Sequence, residues 1–293
     1  MARFLPVAVM QAAPIDAATA IDVFAARLRD VMATHPGTRM VLHPELHLCG
    51  TTADGGDETV QLQAVAEPLH GTRGTALAEL AAELGIWLLP GSVCERGEAG
   101  ELYNTSMAYA PDGSLVASYR KIFPWLPFEP YESGDRFVVF DMPDIGRVGL
   151  AICYDLWFPE VARNLAWLGA EMIVYPTQTT TCDRHQEVIM AQATAIQNQV
   201  FVVVPNVASP KGTGRSLIVD PEGLVRTEAP DASPAILTDV LDFDAVTRVR
   251  DYGTCGLNRM WSQMASLPGP IQLPAYAGAI DPARWADASN SGE

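Results

Sequence analysis

The sequence predicts an α/β fold on three observations. Strand-like and helix-like segments alternate along most of the 293 residues. The middle of the chain carries two successive hairpin patterns, "NTSMAYAPDGSLVASYRK" and "RFVVFDMPDIGRVGLAIC". Apolar residues make up 48% and charged residues 18%, which suits a sizeable core and excludes a disordered chain. No run of about 18 apolar residues occurs, so a spanning helix is not expected.

Taken in order, Leu5 to Gln11 reads as the first strand, and "MARFLPVAVMQAAP" as the entry to it and not a secretory leader. Ile21, Phe24, Leu28 and Val31 follow at helical spacing. "RMVLHPE" is a short buried strand broken at Pro44. "TALAELAAELG" is a helix stopped by Gly85, and "IWLLPGSV" the strand after it. Past the two hairpins, Pro159 to Leu168 is a helix leading to strand "MIVYP". Asp183 to Asn198 is another, with Val188, Ile189, Ala193 and Ile196 expected inward, leading to strand "VFVVVPN". "SLIVDPEGLV" is a last hairpin. From Ala245 the chain reads as irregular, rich in Pro, Gly and Ala. With no internal repeat and no linker, one domain over 1–244 is expected. Residues 245–293 would form a C-terminal arm, packed on that domain or in an oligomer interface.

A formal net charge of −16 excludes the basic face that a nucleic-acid partner would want. The five cysteines, Cys49, Cys94, Cys153, Cys182 and Cys255, are widely spaced with no CxxC pair. That argues against a disulfide framework or a zinc ribbon and for a reduced, cytoplasmic setting. Cys49, Cys94, Cys182 and Cys255 are expected to be packing residues.

Three apolar, strand-like runs each end on one functional group. "VLHPELH" carries Glu45, "SYRKIFPW" carries Lys121 and "LAICYDLWFPE" carries Cys153. Loops held by a rigid sheet are where sites are usually built. Amide hydrolysis needs these three types: a thiolate to attack the carbonyl, a base to take and return its proton, and a cation for the oxyanion. A free thiol, with a pKa of about 8.5, is only a few per cent ionised at neutral pH, so the base matters.

With these motifs the chain resembles the nitrilase (carbon-nitrogen hydrolase) superfamily, which uses a Glu-Lys-Cys triad in this order. The likeness runs from "VAVMQAAP" to "SLIVDPEGLV" and is most specific in "YRKIFPWLPFEPYESGD" and "AICYDLWFPE". Within the superfamily it looks most like the aliphatic amidase and formamidase branch. The resemblance implies a four-layer α-β-β-α sandwich, with Cys153 as nucleophile, Glu45 as general base and Lys121 as oxyanion cation. It adds a second glutamate at Glu129, with Glu132 the nearby rival. The backbone N–H of Tyr154 would join the oxyanion site, and Trp125, Tyr131, Tyr154, Trp157 and Gln178 would contact substrate. The family often has Phe before the Pro-Glu pair, where this chain has His43.

Several other patterns read as structure. Glu160 suits the first turn of a helix. His43, His47 and Cys49 do not make a metal site, because the pattern is not HExxH and Pro44 interrupts any helix. "GTGRS" lacks the later glycines or lysine of a phosphate loop. No metal or organic cofactor is implied.

The expected activity is hydrolysis of a small uncharged carboxamide through a thioester. Branches that take carboxylated substrates often carry Arg just after the cysteine, where this chain has Leu156 and Trp157. Arg184 and Arg215 are the distant cations that would change that view. An N-carbamoyl hydrolase or a nitrilase with the same triad is the alternative, although the nitrilase branch usually shows Trp-Glu where this chain has Tyr154 and Asp155. A non-catalytic protein of the same fold is a third. A small-molecule substrate and self-association into a homo-oligomer are expected, with no nucleic acid and no membrane.

Overall fold

The computed structural model of the chain describes residues 2–50 and 58–280. Strands β1 (Phe4–Gln11), β2 (Met40–Leu42), β3 (Trp87–Leu89), β4 (Ser92–Arg96), β5 (Leu102–Tyr109) and β6 (Leu115–Arg120) belong to a first sheet. Strands β7 (Val138–Met142), β8 (Gly146–Leu150), β9 (Met172–Val174), β10 (Phe201–Val204), β11 (Leu217–Val219) and β12 (Val225–Glu228) make a second, six-stranded sheet. β13 (Ala235–Asp242) returns to the first sheet and pairs antiparallel with β1, from Phe4 opposite Asp242 to Gln11 opposite Ala235. Each sheet has a parallel centre, β1-β2-β3 in one and β8-β9-β10 in the other, flanked by antiparallel strands.

The period-two alternation of the strands sorts side chains into layers. Val7, Val9, Met40 and Leu42 of the first sheet share an inter-sheet core with Val148, Leu150, Met172 and Val203 of the second. Ala8, Val41 and Leu88 point the other way, to α1 (Ala20–Thr34), α2 (Glu58–Val65) and α3 (Thr72–Leu84). Ile173 and Val202 likewise meet α4 (Pro159–Trp167) and α5 (Arg184–Asn198). The result is the four-layer α-β-β-α sandwich, with three cores between four layers. As expected, Phe24, Leu28 and Val31 form the buried stripe of α1. Gly85 ends α3 at φ 63°, in the left-handed region, its N–H bonded to the carbonyls of Ala81 and Ala82.

Three expectations need correction. Ile189 and Ile196 are 62% and 48% exposed. The inward stripe of α5 is Val188, Ala191 and Ala195, and the two isoleucines lie about 100° around the helix from it. Small alanines bring this helix close to its sheet and leave the branched residues outside. Cys49 and Cys94 are buried packing residues, but Cys182 and Cys255 are exposed.

The chain after 245 is also more regular than its composition suggests. It contains α6 (Asp244–Tyr252), α7 (Met260–Ala265) and a hairpin of β14 (Ile271–Leu273) with β15 (Gly278–Ile280). Trp261 anchors it: the ring is buried in the core of the α4-α5 layer, and its Nε1 donates to the carbonyl of Asn198 at 3.2 Å. The rest of the expected arm, 281–293, lies outside the described residues. Among the described residues no helix is long and apolar enough to cross a membrane.

Candidate active site

The site lies beyond the carboxyl ends of the parallel strands, where open α/β sheets place ligands. Glu45 sits in the turn that follows β2. That turn packs on the β3-β4 connection at Gly91 (φ 89°), where a Cβ would stand 1.8 Å from the carbonyl oxygen of Pro44. The Leu46 N–H donates to Ser92 Oγ at 3.1 Å and holds the turn from the other side. Lys121 directly follows β6, with its N–H on the carbonyl of Asn104 at 2.9 Å. Cys153 follows β8 at φ 46°, a left-handed conformation that a non-glycine residue adopts only when held there. Its N–H bonds the carbonyl of Pro176 at 2.9 Å, and a 3-10 turn runs from Cys153 to Trp157.

Lys121 is completely buried among carboxylates. Its Nζ donates to both oxygens of Glu129 at 2.8 Å and to Glu45 Oε1 at 3.1 Å. Asn104 Nδ2 also donates to Glu45 Oε1, at 2.8 Å, so both of those bonds fall on one oxygen. Glu45 Oε2 is buried with no hydrogen-bond partner among the described residues. Glu129 is further held by the N–H of Trp125 at 2.8 Å. Glu132, the rival glutamate, is exposed, with its N–H on the carbonyl of Leu102.

Burial and charge set the protonation states. Burial raises the Glu45 carboxyl above the usual carboxylate range, and the Lys121 charge pulls it back. Burial by itself would lower Lys121, but the negative charges around it, the Glu45 carboxylate first and Glu129 with it, overcome that and keep the ammonium charged. The Cys153 thiol is pushed up, first by burial and then by the Glu45 charge, so the resting sulfur is protonated. A base beside it is therefore a requirement for attack.

Cys153 and Glu129 open onto a small cavity of about 50 Å³. Trp125, Tyr154, Trp157 and Gln178 line it. Tyr131 does not: it is buried in the first sheet's outer core, with its hydroxyl 3.6 Å from Cys94 Sγ. The sequence reading missed the opposite wall, made of Thr179, Thr180, Thr181, Asp183 and Glu187. Glu187 accepts from Thr179 Oγ1 and pairs with Arg184 at 2.8 Å. Both distant arginines are committed elsewhere, Arg184 to Glu187 and Arg215 to Glu228 at 2.6 Å.

His43 behaves as the aromatic residue it replaces. Its ring packs 4.6 Å from Phe24 and 5.1 Å from His47. Burial, with the neighbouring His47, holds its pKa well below the usual value. Burial likewise lowers His47 to about 3. Among the described residues no group of three or more His, Cys, Asp or Glu side chains is arranged to hold a metal ion.

A sequence profile of the carbon-nitrogen hydrolase family matches residues 6–251. The chain belongs to this family. Omega-amidase NIT2 of Mus musculus is 34% identical to it over 235 residues, 74% of this chain and 82% of that protein. The deaminated glutathione amidase of Rattus norvegicus is 32% identical over 209 residues, 64% of this chain and 63% of that protein. Nit3 of Saccharomyces cerevisiae, described as a member of branch 10 of the nitrilase superfamily, superposes with a TM-score of 0.75 at 26% identity. The match covers 88% of this chain and 97% of that one. This carbon-nitrogen hydrolase thus has the fold that the resemblance implied.

Proposed function

We propose that this carbon-nitrogen hydrolase is a cysteine amidase that converts a small uncharged carboxamide to acid and ammonia. The enzyme class has the support of the curated relatives, which are amidases. One observation carries the chemistry: Lys121 is clamped between Glu45 and Glu129 while Cys153 and Glu129 share the wall of one small cavity.

Glu45, whose carboxylate interacts with the Cys153 side chain, takes the Cys153 proton. The sulfur attacks the amide carbonyl, and the negative charge moves to the carbonyl oxygen. The Lys121 ammonium and the N–H of Tyr154 stabilise that oxyanion. The Tyr154 N–H is available because the first N–H groups of a helical turn lack intrahelical partners. The C–N bond then breaks, Glu45 returns its proton to the leaving nitrogen as ammonia departs, and a thioester remains. Water, deprotonated by Glu45, attacks the thioester, releases the acid and restores the thiol. Glu129 keeps Lys121 charged and orients it.

Substrate size and charge follow from the cavity. About 50 Å³ admits few heavy atoms, and Asp183 and Glu187 line it without an uncommitted arginine. A carboxylate there would meet Asp183 and Glu187, with Arg184 already spent on Glu187, which favours short neutral amides. Self-association belongs to the same proposal: Ile189 and Ile196, one heptad apart on α5, are exposed apolar surface that a second copy would cover. Ammonia release across neutral amides, ω-amides and N-carbamoyl compounds, with the Cys153→Ala variant beside the native chain, tests the reading. Turnover confined to neutral amides and abolished in the variant is the expected result, and turnover that survives in Cys153→Ala would overturn it.

A further inference from the structure

Glu45 and Lys121 hang from the first sheet and Cys153 from the second, so attack depends on register between two separate sheets. We propose that Asp155 is a positioning residue that locks the Cys153 turn to the Lys121 strand end. This inference rests on the cysteine-amidase reading above and adds a residue to which that reading gives no role.

Asp155 is fully buried, yet both carboxylate oxygens are engaged. Oδ2 accepts from the Tyr119 hydroxyl at 2.8 Å and from the Ile152 N–H at 2.9 Å, and Oδ1 accepts from the Phe123 N–H at 3.0 Å. The donors mark two places in the chain. Tyr119 stands two residues before Lys121 and Phe123 two residues after it, while Ile152 immediately precedes Cys153. The Ile122 N–H bonds back to the Tyr119 hydroxyl at 3.3 Å, which fastens the Lys121 segment to the same point. One carboxylate therefore grips the cation's segment on both sides and the nucleophile's turn at its root.

The turn is the part that needs gripping. Cys153 is in the left-handed region, which strains a non-glycine residue and persists only where the surroundings hold it. The Asp155 N–H closes the turn on the carbonyl of Ile152 at 3.0 Å, and its side chain holds the Ile152 N–H. Three donors converge on this group, so a carboxylate suits it and an amide does not. In asparagine the NH2 group would face a donor at one of the two positions.

The test compares Asp155→Asn and Tyr119→Phe with the native chain and with Cys153→Ala. Competent sites are counted by iodoacetamide labelling, scored on the Cys153 peptide because Cys182 and Cys255 are exposed and would react too. The expected result for Asp155→Asn is a kcat per competent site about 100-fold lower, with KM within about twofold and slower Cys153 alkylation, since a small misplacement of reacting groups costs that much. Tyr119→Phe, a near-isosteric change, is expected to lose about tenfold in kcat with its fold intact. A merely structural role would lower melting temperature and the number of competent sites while leaving kcat per site native, and that result overturns the proposal. If Asp155→Asn does not fold, a native kcat per site in Tyr119→Phe overturns it alone. Turnover surviving in Cys153→Ala is a separate outcome that removes the amidase reading itself.

Discussion

Lys121 Nζ lies 2.8 Å from each oxygen of Glu129, a bidentate ion pair in which the lysine side chain has no solvent exposure and the glutamate 19%. Glu45 takes only one contact from that ammonium, through Oε1, and its Oε2 accepts nothing from Lys121 or Asn104. Glu129 thus shares the lysine's charge with Glu45, and its own negative charge raises the Glu45 carboxyl. In Glu129→Gln the ammonium has one carboxylate left, draws on Glu45 more strongly and weakens it as a base. The expected outcome is a kcat lower by about 100-fold or more with little change in KM, in the range that loss of general-base function produces. Steady-state kinetics on a neutral amide checks it, and a kcat within threefold of native would refute the role given to Glu129.

Removing Asn104 tests the same economy of contacts from the other side. Its side chain donates to Glu45 Oε1, and its carbonyl receives the Lys121 N–H, so one residue spaces base and cation. Asn104→Ala deletes only the side-chain bond. It leaves a buried carboxylate one donor short, a change of roughly 1–3 kcal/mol, and should shift the acidic limb of the kcat/KM profile to higher pH. The sign follows because the lost donor had favoured the ionised carboxylate. An acidic limb unchanged in a pH-rate profile would count against Glu45 as the group being titrated.

How much of this was legible in the sequence depends on what each residue's neighbours are. Glu45, Lys121 and Cys153 were readable because each ends a strand-like run, and chain order preserves that arrangement. Glu129 needed the family resemblance. Asn104 and Asp155 were not assigned roles, since a polar residue beside an apolar run looks the same whether it caps a turn or bridges two sheets. Tyr131 was misplaced for a related reason: two residues after Glu129 the chain turns back into the core toward Cys94. Ile189 and Ile196 failed because hydrophobicity alone does not say which face of α5 meets the sheet. Thr179 to Thr181 form a wall only once β9 brings them opposite Trp125 and Tyr154.

The placement of Tyr131 and Trp157 gives a paired test. Trp157 lines the cavity and Tyr131 does not. Trp157→Ala should raise KM for a neutral amide by about tenfold or more as apolar contact with the substrate is lost. Tyr131→Phe should leave KM native and lower the melting temperature slightly through its contact with Cys94. A raised KM in Tyr131→Phe would put that ring back at the substrate.

The stacked histidines make stability pH-dependent. Burial lowers His47 from 6.5 to about 3 and His43 also falls well below its usual value, so both stay neutral when folded. In the unfolded chain they bind protons below about pH 6.5. The unfolded state therefore gains protons first, and stability is lost as pH falls from 6.5 toward 3, by an amount on the order of a few kcal/mol. His47→Phe removes one of these groups and keeps an aromatic ring against Phe24 and His43. Its melting temperature relative to the native chain should rise between pH 7.5 and pH 5. A difference that does not change with pH would rule out this linkage.

The acidic wall of the cavity predicts the direction of a specificity change. Asp183 and Glu187 both line it, but among the described residues only Glu187 is paired with a cation, Arg184 at 2.8 Å. Asp183 shares a hydrogen bond with the Thr181 hydroxyl, which does not cancel its charge. A substrate with a carboxylate at its far end would therefore meet a negative charge within the cavity, at a cost that low dielectric magnifies. An ω-amide is the charged counterpart to set against a neutral amide. Asp183→Asn keeps the shape and the threonine bond and deletes the charge. It is expected to raise kcat/KM for ω-amides by about three- to tenfold, while kcat/KM for a neutral amide stays within twofold, as the loss of one like-charge contact of about 1 kcal/mol implies. An equal change for both substrates would mean that Asp183 shapes the cavity without selecting by charge, and a fall for the ω-amide alone would mean that the wall recognises it.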